Sequence, residues 1–110
     1  MGSSQLAEKK CKPCEGDVEP LSADKAREML GEIPGWSLED DSTIARKFQF
    51  DNFRAAQQWL GKVADIAESE DHHPDIYWSY NRVTIELTTH AIDGLSENDF
   101  ILAAKINNTL

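Results

Sequence analysis

The chain has few basic side chains and no long apolar run. Its 110 residues carry 20 acidic against 11 basic side chains, giving a formal charge of −9. Nucleic acids and anionic membranes bind clusters of Lys and Arg, so this composition argues against direct binding to either. No apolar run approaches the roughly 20 residues that span a bilayer, and the first residues lack the apolar core of a secretory signal. We therefore expect a soluble cytoplasmic protein that binds a small molecule or another protein.

Cysteine is also scarce, since the only two are Cys11 and Cys14 in a CxxC motif. Structural zinc takes four ligands, and a redox pair of this spacing belongs at a strand-to-helix junction. The sequence shows neither context, because residues 1–20 have almost no periodic apolar residues. We expect a flexible N-terminal arm over residues 1–20 with a solvated CxxC, followed by one domain over residues 21–110. Zinc shared between subunits is the alternative for the two cysteines.

Apolar periodicity predicts an α+β fold for the rest of the chain. Apolar residues at spacings of three and four predict helices, and apolar residues alternating with polar ones predict strands. The predicted helices begin after caps at Ser22, Asp51 and Ser96, and the predicted strands cover 36–39, 43–50, 75–79 and 82–89. The order α-β-β-α-β-β-α predicts two layers, a four-stranded antiparallel sheet with helices packed on one face. Because the edges of so small a sheet attract partner strands, we expect a homodimer or homotetramer.

Only three histidines are present, and all of them fall between Glu68 and Asp99. Clustered imidazoles indicate proton transfer or metal binding, because histidine titrates near neutral pH. His72 and His73 follow a predicted helix that Pro74 ends, so they lie at a helix exit where side chains can reach a cleft. The third histidine and the acidic side chains that frame the group are His90, Glu68, Asp71 and Asp99.

Simpler interpretations of the same residues remain open. A zinc site built from three histidines is chemically reasonable, and solvated loop residues are the alternative interpretation of His72 and His73. Asp99 lies three residues after Ser96, which is the spacing of a capping box and accounts for it without any ligand. Glu68 fits a solvated helix end, and Trp36 fits the core as well as it fits a binding site.

This window resembles the pterin-4a-carbinolamine dehydratases, a family that includes the animal dimerisation cofactor of a homeodomain transcription factor. The family pattern is an acidic residue, His-His-Pro after three positions, an aromatic residue, a further histidine and a downstream Asp. The residues that match this pattern are Glu68, His72, His73, Pro74, Tyr80, His90 and Asp99. The segments 34–36 and 94–97 also look like family motifs. The resemblance covers roughly residues 22–110 and leaves out only the arm.

The resemblance implies loss of water from a 4a-hydroxytetrahydropterin, a reaction that needs an acid and a base. It implies His72 and His90 as that pair, with His73 holding the ring and assisting. The implied substrate-binding residues are Glu68, Asp71, Pro74, Asp99 and Trp36. Asp99 would contact the pterin or fix His90, and Glu68 and Asp71 would orient an imidazole. The family is metal-free, so we expect neither a metal nor a cofactor.

A role without catalysis is the alternative for a chain of this family. Proteins of the same fold serve as dimerisation or assembly partners, and some relatives lack the catalytic pattern. The intact histidines here favour activity.

Overall fold

The computed structural model describes residues 4–12 and 19–110, with side chains from Leu6 onward. The helices are α1 (Ser4–Glu8), α2 (Ala23–Leu30), α3 (Phe53–Glu70) and α4 (Glu97–Asn107), with a 3-10 turn at His90–Ile92. The strands are β1 (Ser37–Glu39), β2 (Thr43–Gln49), β3 (Asp75–Ser79) and β4 (Arg82–Leu87). The predicted order of elements from Ser22 onward is confirmed, and α1 is an addition to it. The described helices include none that is long and apolar enough to cross a membrane.

The four strands form one antiparallel sheet in the order β1-β2-β4-β3. Its two central strands pair Ile44 with Leu87 and Phe48 with Val83. All four of these side chains are buried, and so is Ile85 between them. The opposite, more exposed face carries Ala45, Lys47, Thr84 and Glu86. This period of two places the apolar face against the helices, so the predicted two-layer α+β fold is confirmed.

Helix α3 crosses the sheet with a regular apolar stripe. Ala56, Trp59, Val63 and Ala67 are buried at spacings of three and four residues. The helix begins one residue later than predicted, because Asn52 rather than Asp51 is its N-cap, and the Asn52 side chain accepts the Ala55 N–H at 2.8 Å. Asn and Asp cap helices about equally well, so the sequence pattern could not separate these neighbouring residues.

The N-terminal residues that the structure describes are packed against the domain, which corrects the expectation of a flexible arm for residues 4–12. Leu6 is 3% exposed and belongs to the core cluster. Lys105 on α4 donates to the Ala7 carbonyl oxygen at 2.7 Å. One apolar anchor and one charged donor thus attach α1 to α4. Cys14 lies outside the described residues, so the prediction of a solvated CxxC stays a prediction for that residue.

Candidate active site

A sharp turn at the end of α3 presents the paired histidines. Asp71 adopts a left-handed conformation with φ of 52°, which Asp tolerates better than most residues. Its N–H donates to the Glu68 carbonyl and the N–H of His72 donates to the Ala67 carbonyl, each at 3.2 Å. These two bonds close the last turn of the helix. His72 therefore leaves the helix axis at once, as predicted from Pro74.

His72 is held by a buried carboxylate from α4. Its Nε2 atom lies 2.6 Å from Oδ1 of Asp99, and the His72 side chain is only 13% exposed. The other Asp99 oxygen accepts the Thr89 hydroxyl at 2.8 Å and the Ser96 N–H at 3.0 Å. Asp99 is fully buried, so its oxygens are occupied by protein groups rather than open to a ligand. The expectation that Asp99 contacts the pterin or fixes His90 is corrected: it positions His72, and its predicted capping bond to Ser96 is confirmed.

This contact sets the tautomer of His72. An ionised carboxylate only accepts hydrogen bonds, so when Asp99 is ionised the Nε2–H of His72 is the donor in this contact. The lone pair of the neutral ring then lies on Nδ1. A ring fixed in orientation and tautomer by a buried carboxylate is suited to accept a proton at that second nitrogen.

The other two histidines are more exposed and pair with different carboxylates. His73 Nε2 lies 2.9 Å from Oε1 of Glu68, with the two side chains 56% and 83% exposed. His90 opens the 3-10 turn, and its Nε2 lies 3.9 Å from Oδ2 of Asp75. Glu68 was expected near the histidines from its place in the sequence motif, whereas the contact of Asp75 with His90 was not. The three rings thus differ in environment: the His72 ring is largely shielded and held by Asp99, and the other two are in contact with solvent.

A single cleft of about 500 Å³ brings the three histidines together. The other residues that line it are Cys11, Lys12, Glu70, Asp71, Thr88, Thr89, Ala91 and Asn98. Of the expected substrate-binding residues, only Asp71 is part of this lining. Glu68 does not line the cleft but contacts His73, which does, and the half-buried Pro74 directly follows His73.

Trp36 is not near this cleft. Its side chain is 7% exposed in the core cluster, and its indole N–H donates to Asn107 at 2.8 Å. Asn107 lies at the C-terminal end of α4, whereas Asp99 lies in the first turn of the same helix. Trp36 also packs edge-to-face on Phe48. The expectation that Trp36 contacts substrate is therefore corrected in favour of a core role.

Sequence reasoning missed the residues that the N-terminal segment and α4 contribute to the cleft. Cys11 and Lys12 come from a segment without apolar periodicity, so no pattern pointed to them. Asn98 precedes Asp99 directly, and Glu70 precedes Asp71, but a position beside a motif is a weak signal. Within residues 4–12 and 19–110, no group of three or more His, Cys, Asp or Glu side chains is arranged to hold a metal ion.

The Cys11 thiol lines the cleft, but its raised pKa makes it a poor nucleophile. Burial raises its pKa from 9.0 to about 12, and the nearby negative charge of Glu70 adds to the shift. The thiolate is the reactive form, and raising the pKa from 9.0 to about 12 lowers the thiolate fraction about 10³-fold at pH 8. In a Cys14→Ser variant we expect iodoacetamide to modify native Cys11 at least about 100-fold more slowly than the urea-unfolded chain. Mass spectrometry over time measures both rates, and equal rates would contradict a buried, protonated thiol.

The structure is that of an α+β protein in which an imidazole bound to a buried carboxylate shares one cleft with two exposed imidazoles. Residues 19–109 match the family model described as pterin 4 alpha carbinolamine dehydratase. The chain belongs to this family. The match leaves out the residues before position 19.

Relatives and a solved structure agree with this assignment. A protein of Rubrobacter xylanophilus, provisionally named a pterin-4-alpha-carbinolamine dehydratase, is 43% identical over 94% of this chain and 97% of its own length. A relative of Nitrosomonas eutropha with the same provisional name is 48% identical over 96% of this chain and 93% of its own length. A crystal structure from Brucella melitensis, described as a transcriptional coactivator/pterin dehydratase, has a TM-score of 0.77 and 35% identity, over 82% of this chain and 97% of that one.

Proposed function

We propose that this protein removes water from a 4a-hydroxytetrahydropterin to give a quinonoid dihydropterin, in the recycling of a tetrahydrobiopterin-type cofactor. The observation that carries the proposal is the cleft in which His73 and His90 accompany His72 on its buried Asp99. The family assignment gives the substrate class, and the cleft offers the acid and base that the reaction requires. The dehydration is proposed to take place in the cytoplasm.

The reaction balances with two proton transfers and no oxidant. The bond from C4a to the hydroxyl oxygen breaks as an acid protonates that oxygen, and water leaves. A base removes a proton from a ring nitrogen. The electron pair of the broken N–H bond forms the new carbon–nitrogen double bond. General acids and bases contribute typically 10²- to 10⁴-fold each to such steps.

The environments of the three rings suggest their roles. His72 is proposed as the base, because Asp99 holds its Nε2 proton and leaves Nδ1 to accept another. His90 is proposed as the acid, since its exposed ring can exchange its proton with water between turnovers. His73, oriented by Glu68, holds the pterin ring and assists, and Asp71 accepts a hydrogen bond from the pterin.

The test is stopped-flow absorbance of enzymatically generated 4a-hydroxytetrahydrobiopterin with and without the protein. Catalytic amounts of protein are expected to accelerate the loss of the intermediate well above its spontaneous rate. Folded protein that leaves the rate unchanged would reject dehydratase activity and favour a partner protein of the same fold.

A homodimer or homotetramer is the second part of the proposal, supported by an exposed apolar surface at the β3 edge. Ile76 and Trp78 lie opposite the buried Ile85 and Val83, so they face the helical side, yet they are 40% and 39% exposed. Trp78 also stacks on the 48% exposed Phe53 at 4.5 Å. Strand β3 is at the sheet edge, where a second copy can pair with it.

The variant Trp78→Lys is expected to shift the dimer toward monomer. The substitution removes the apolar area that Trp78 buries in the interface, and the Lys ammonium would have to lose its hydration when the two copies pair. Light scattering after size-exclusion chromatography measures the mass at several concentrations. Lys62→Ala, an exposed change on α3, serves as the control. An unchanged dimer in Trp78→Lys, or a monomeric wild type, would contradict pairing at this edge.

A further inference from the structure

We propose that Lys9–Lys12, here named the strap, contributes Cys11 and Lys12 to the wall of the substrate cleft, and that Lys12 selects pterins whose side chain carries oxygen atoms. This inference rests on the proposed function and adds a specificity element to the same site. The strap lies outside the segment that the family model matches.

The strap is bound by residues adjacent to the His72–Asp99 pair. The Cys11 N–H donates to Oε1 of Glu70 at 2.8 Å, and Glu70 immediately precedes the turn that presents His72. The Lys12 N–H donates to the Asn98 side chain at 2.9 Å, and the Asn98 amide donates back to the Lys12 carbonyl. The strap therefore joins the end of α3 to the start of α4 at the place where His72 meets Asp99.

The carboxylate that binds the strap is itself well fixed. The Glu70 side chain is 6% exposed, and its other oxygen lies 3.7 Å from Nζ of Lys105. Lys105 also donates to the Ala7 carbonyl, which connects the same cation to the N-terminal segment. A buried carboxylate satisfied by a cation and a backbone N–H holds a defined geometry. The strap is therefore attached through a buried, fully paired carboxylate and not through a solvent-exposed contact.

The chemistry of the strap at the cleft comes from Lys12. It is the one Lys or Arg among the described residues that line the cleft, and its side chain is exposed. Its ammonium offers three hydrogen-bond donors to an oxygen-bearing substrate group. Cys11 contributes a half-buried, protonated thiol that fills the wall without competing as a nucleophile.

The strap falls within the matched length of the relatives described above. The match to the Rubrobacter xylanophilus protein covers 94% of this chain, which leaves at most about seven of its 110 residues outside, so residues 9–12 lie inside the match. The match to the Brucella melitensis structure covers 97% of that chain but only 82% of this one, so this chain has residues without a counterpart in that structure.

The test uses full-length variants and two substrates, the 4a-hydroxy forms of tetrahydrobiopterin and of 6-methyltetrahydropterin, whose side chain lacks oxygen. Asn98→Ala removes both side-chain bonds to the strap, and we expect it to raise KM about tenfold for both pterins with kcat within about threefold. The matched control is Asn107→Ala, which removes side-chain bonds at the other end of α4. Its KM is expected to remain within about twofold, with folding checked by thermal melting.

Lys12→Ala tests the selection without risk to folding, because the side chain is exposed. Wild type is expected to have a KM several-fold lower for the biopterin form, and Lys12→Ala is expected to lose that preference. Lys62→Ala, which removes an exposed lysine on α3 away from the cleft, is expected to keep it. Equal KM values in Asn98→Ala and wild type would overturn the strap as a wall. A wild type without preference, or a preference that survives in Lys12→Ala, would overturn the role of Lys12. Failure of wild type to dehydrate either pterin would instead reject the proposed function.

Discussion

His72→Gln is expected to lower kcat for dehydration by about 10²-fold or more, the usual contribution of a general base. The Gln amide can still donate to Asp99, which keeps the buried carboxylate satisfied, but it cannot take a proton from the substrate. Because the change leaves the shape of the cleft nearly intact, KM is expected to change little. The loss should therefore fall on the chemical step.

The measurement is the stopped-flow rate at saturating pterin, with circular dichroism and thermal melting to confirm the fold. His72→Ala is the companion variant and adds the cost of an unpaired Asp99. We expect it to be as slow as His72→Gln in kcat and less stable. A kcat within about threefold of wild type in His72→Gln would remove His72 from the mechanism.

Asp99→Asn is expected to lower kcat by about 10²-fold, although Asp99 is fully buried and does not line the cleft. The Asn side chain keeps the shape of Asp but carries donors that compete with His72 Nε2–H. A donor facing Nε2 favours the tautomer with the proton on Nδ1, so the nitrogen proposed to accept the substrate proton is no longer free. The expected signature is a fall in kcat with little change in KM.

The tautomer gives a readout that a general loss of stability would not produce. Nitrogen-15 NMR of the ring is expected to show the His72 proton on Nε2 in wild type and on Nδ1 in Asp99→Asn. Asp65→Asn, an equal change of charge at an exposed site on α3, is expected to leave both kcat and the His72 signals unchanged. An Asp99→Asn variant with wild-type kcat would contradict a positioning role for this carboxylate.

Much of the fold was predictable because its elements carry simple periods. Val83, Ile85 and Leu87 alternate with polar residues, and the structure buries them as predicted. The helix exit at His72 was predictable from Pro74, since proline cannot continue a helix. Burial also alternates through Thr89 to the exposed His90, although the strand itself ends at Leu87. Local rules thus placed two histidines and the exposure of the third.

The partner of Asp99 was not predictable from such rules. Capping spacing predicted its bond to Ser96, but it gave no information about how the start of α4 lies against the end of α3. That packing brings Asp99 to His72 rather than to His90. Trp36 shows the same limit, because a short strand pattern does not reveal whether its side chain enters the core or a cleft.

The strap was missed for a different reason. Its attachment uses the backbone groups of Cys11 and Lys12, bound by the side chains of Glu70 and Asn98. Hydropathy patterns describe apolar side chains and are silent on such bonds. Leu6 is a single apolar anchor in a segment that is otherwise polar, which is too little to predict packing.

The most direct test of the account is the kcat of the double variant His72→Gln/Asp99→Asn beside the two single variants. If Asp99 acts through His72, removing it should matter little once His72 cannot accept a proton. We predict that the double variant is within about threefold of His72→Gln, because residues that act as one unit are strongly non-additive. Losses that multiply, so that the double variant is slower than His72→Gln by the full Asp99→Asn factor, would contradict the account.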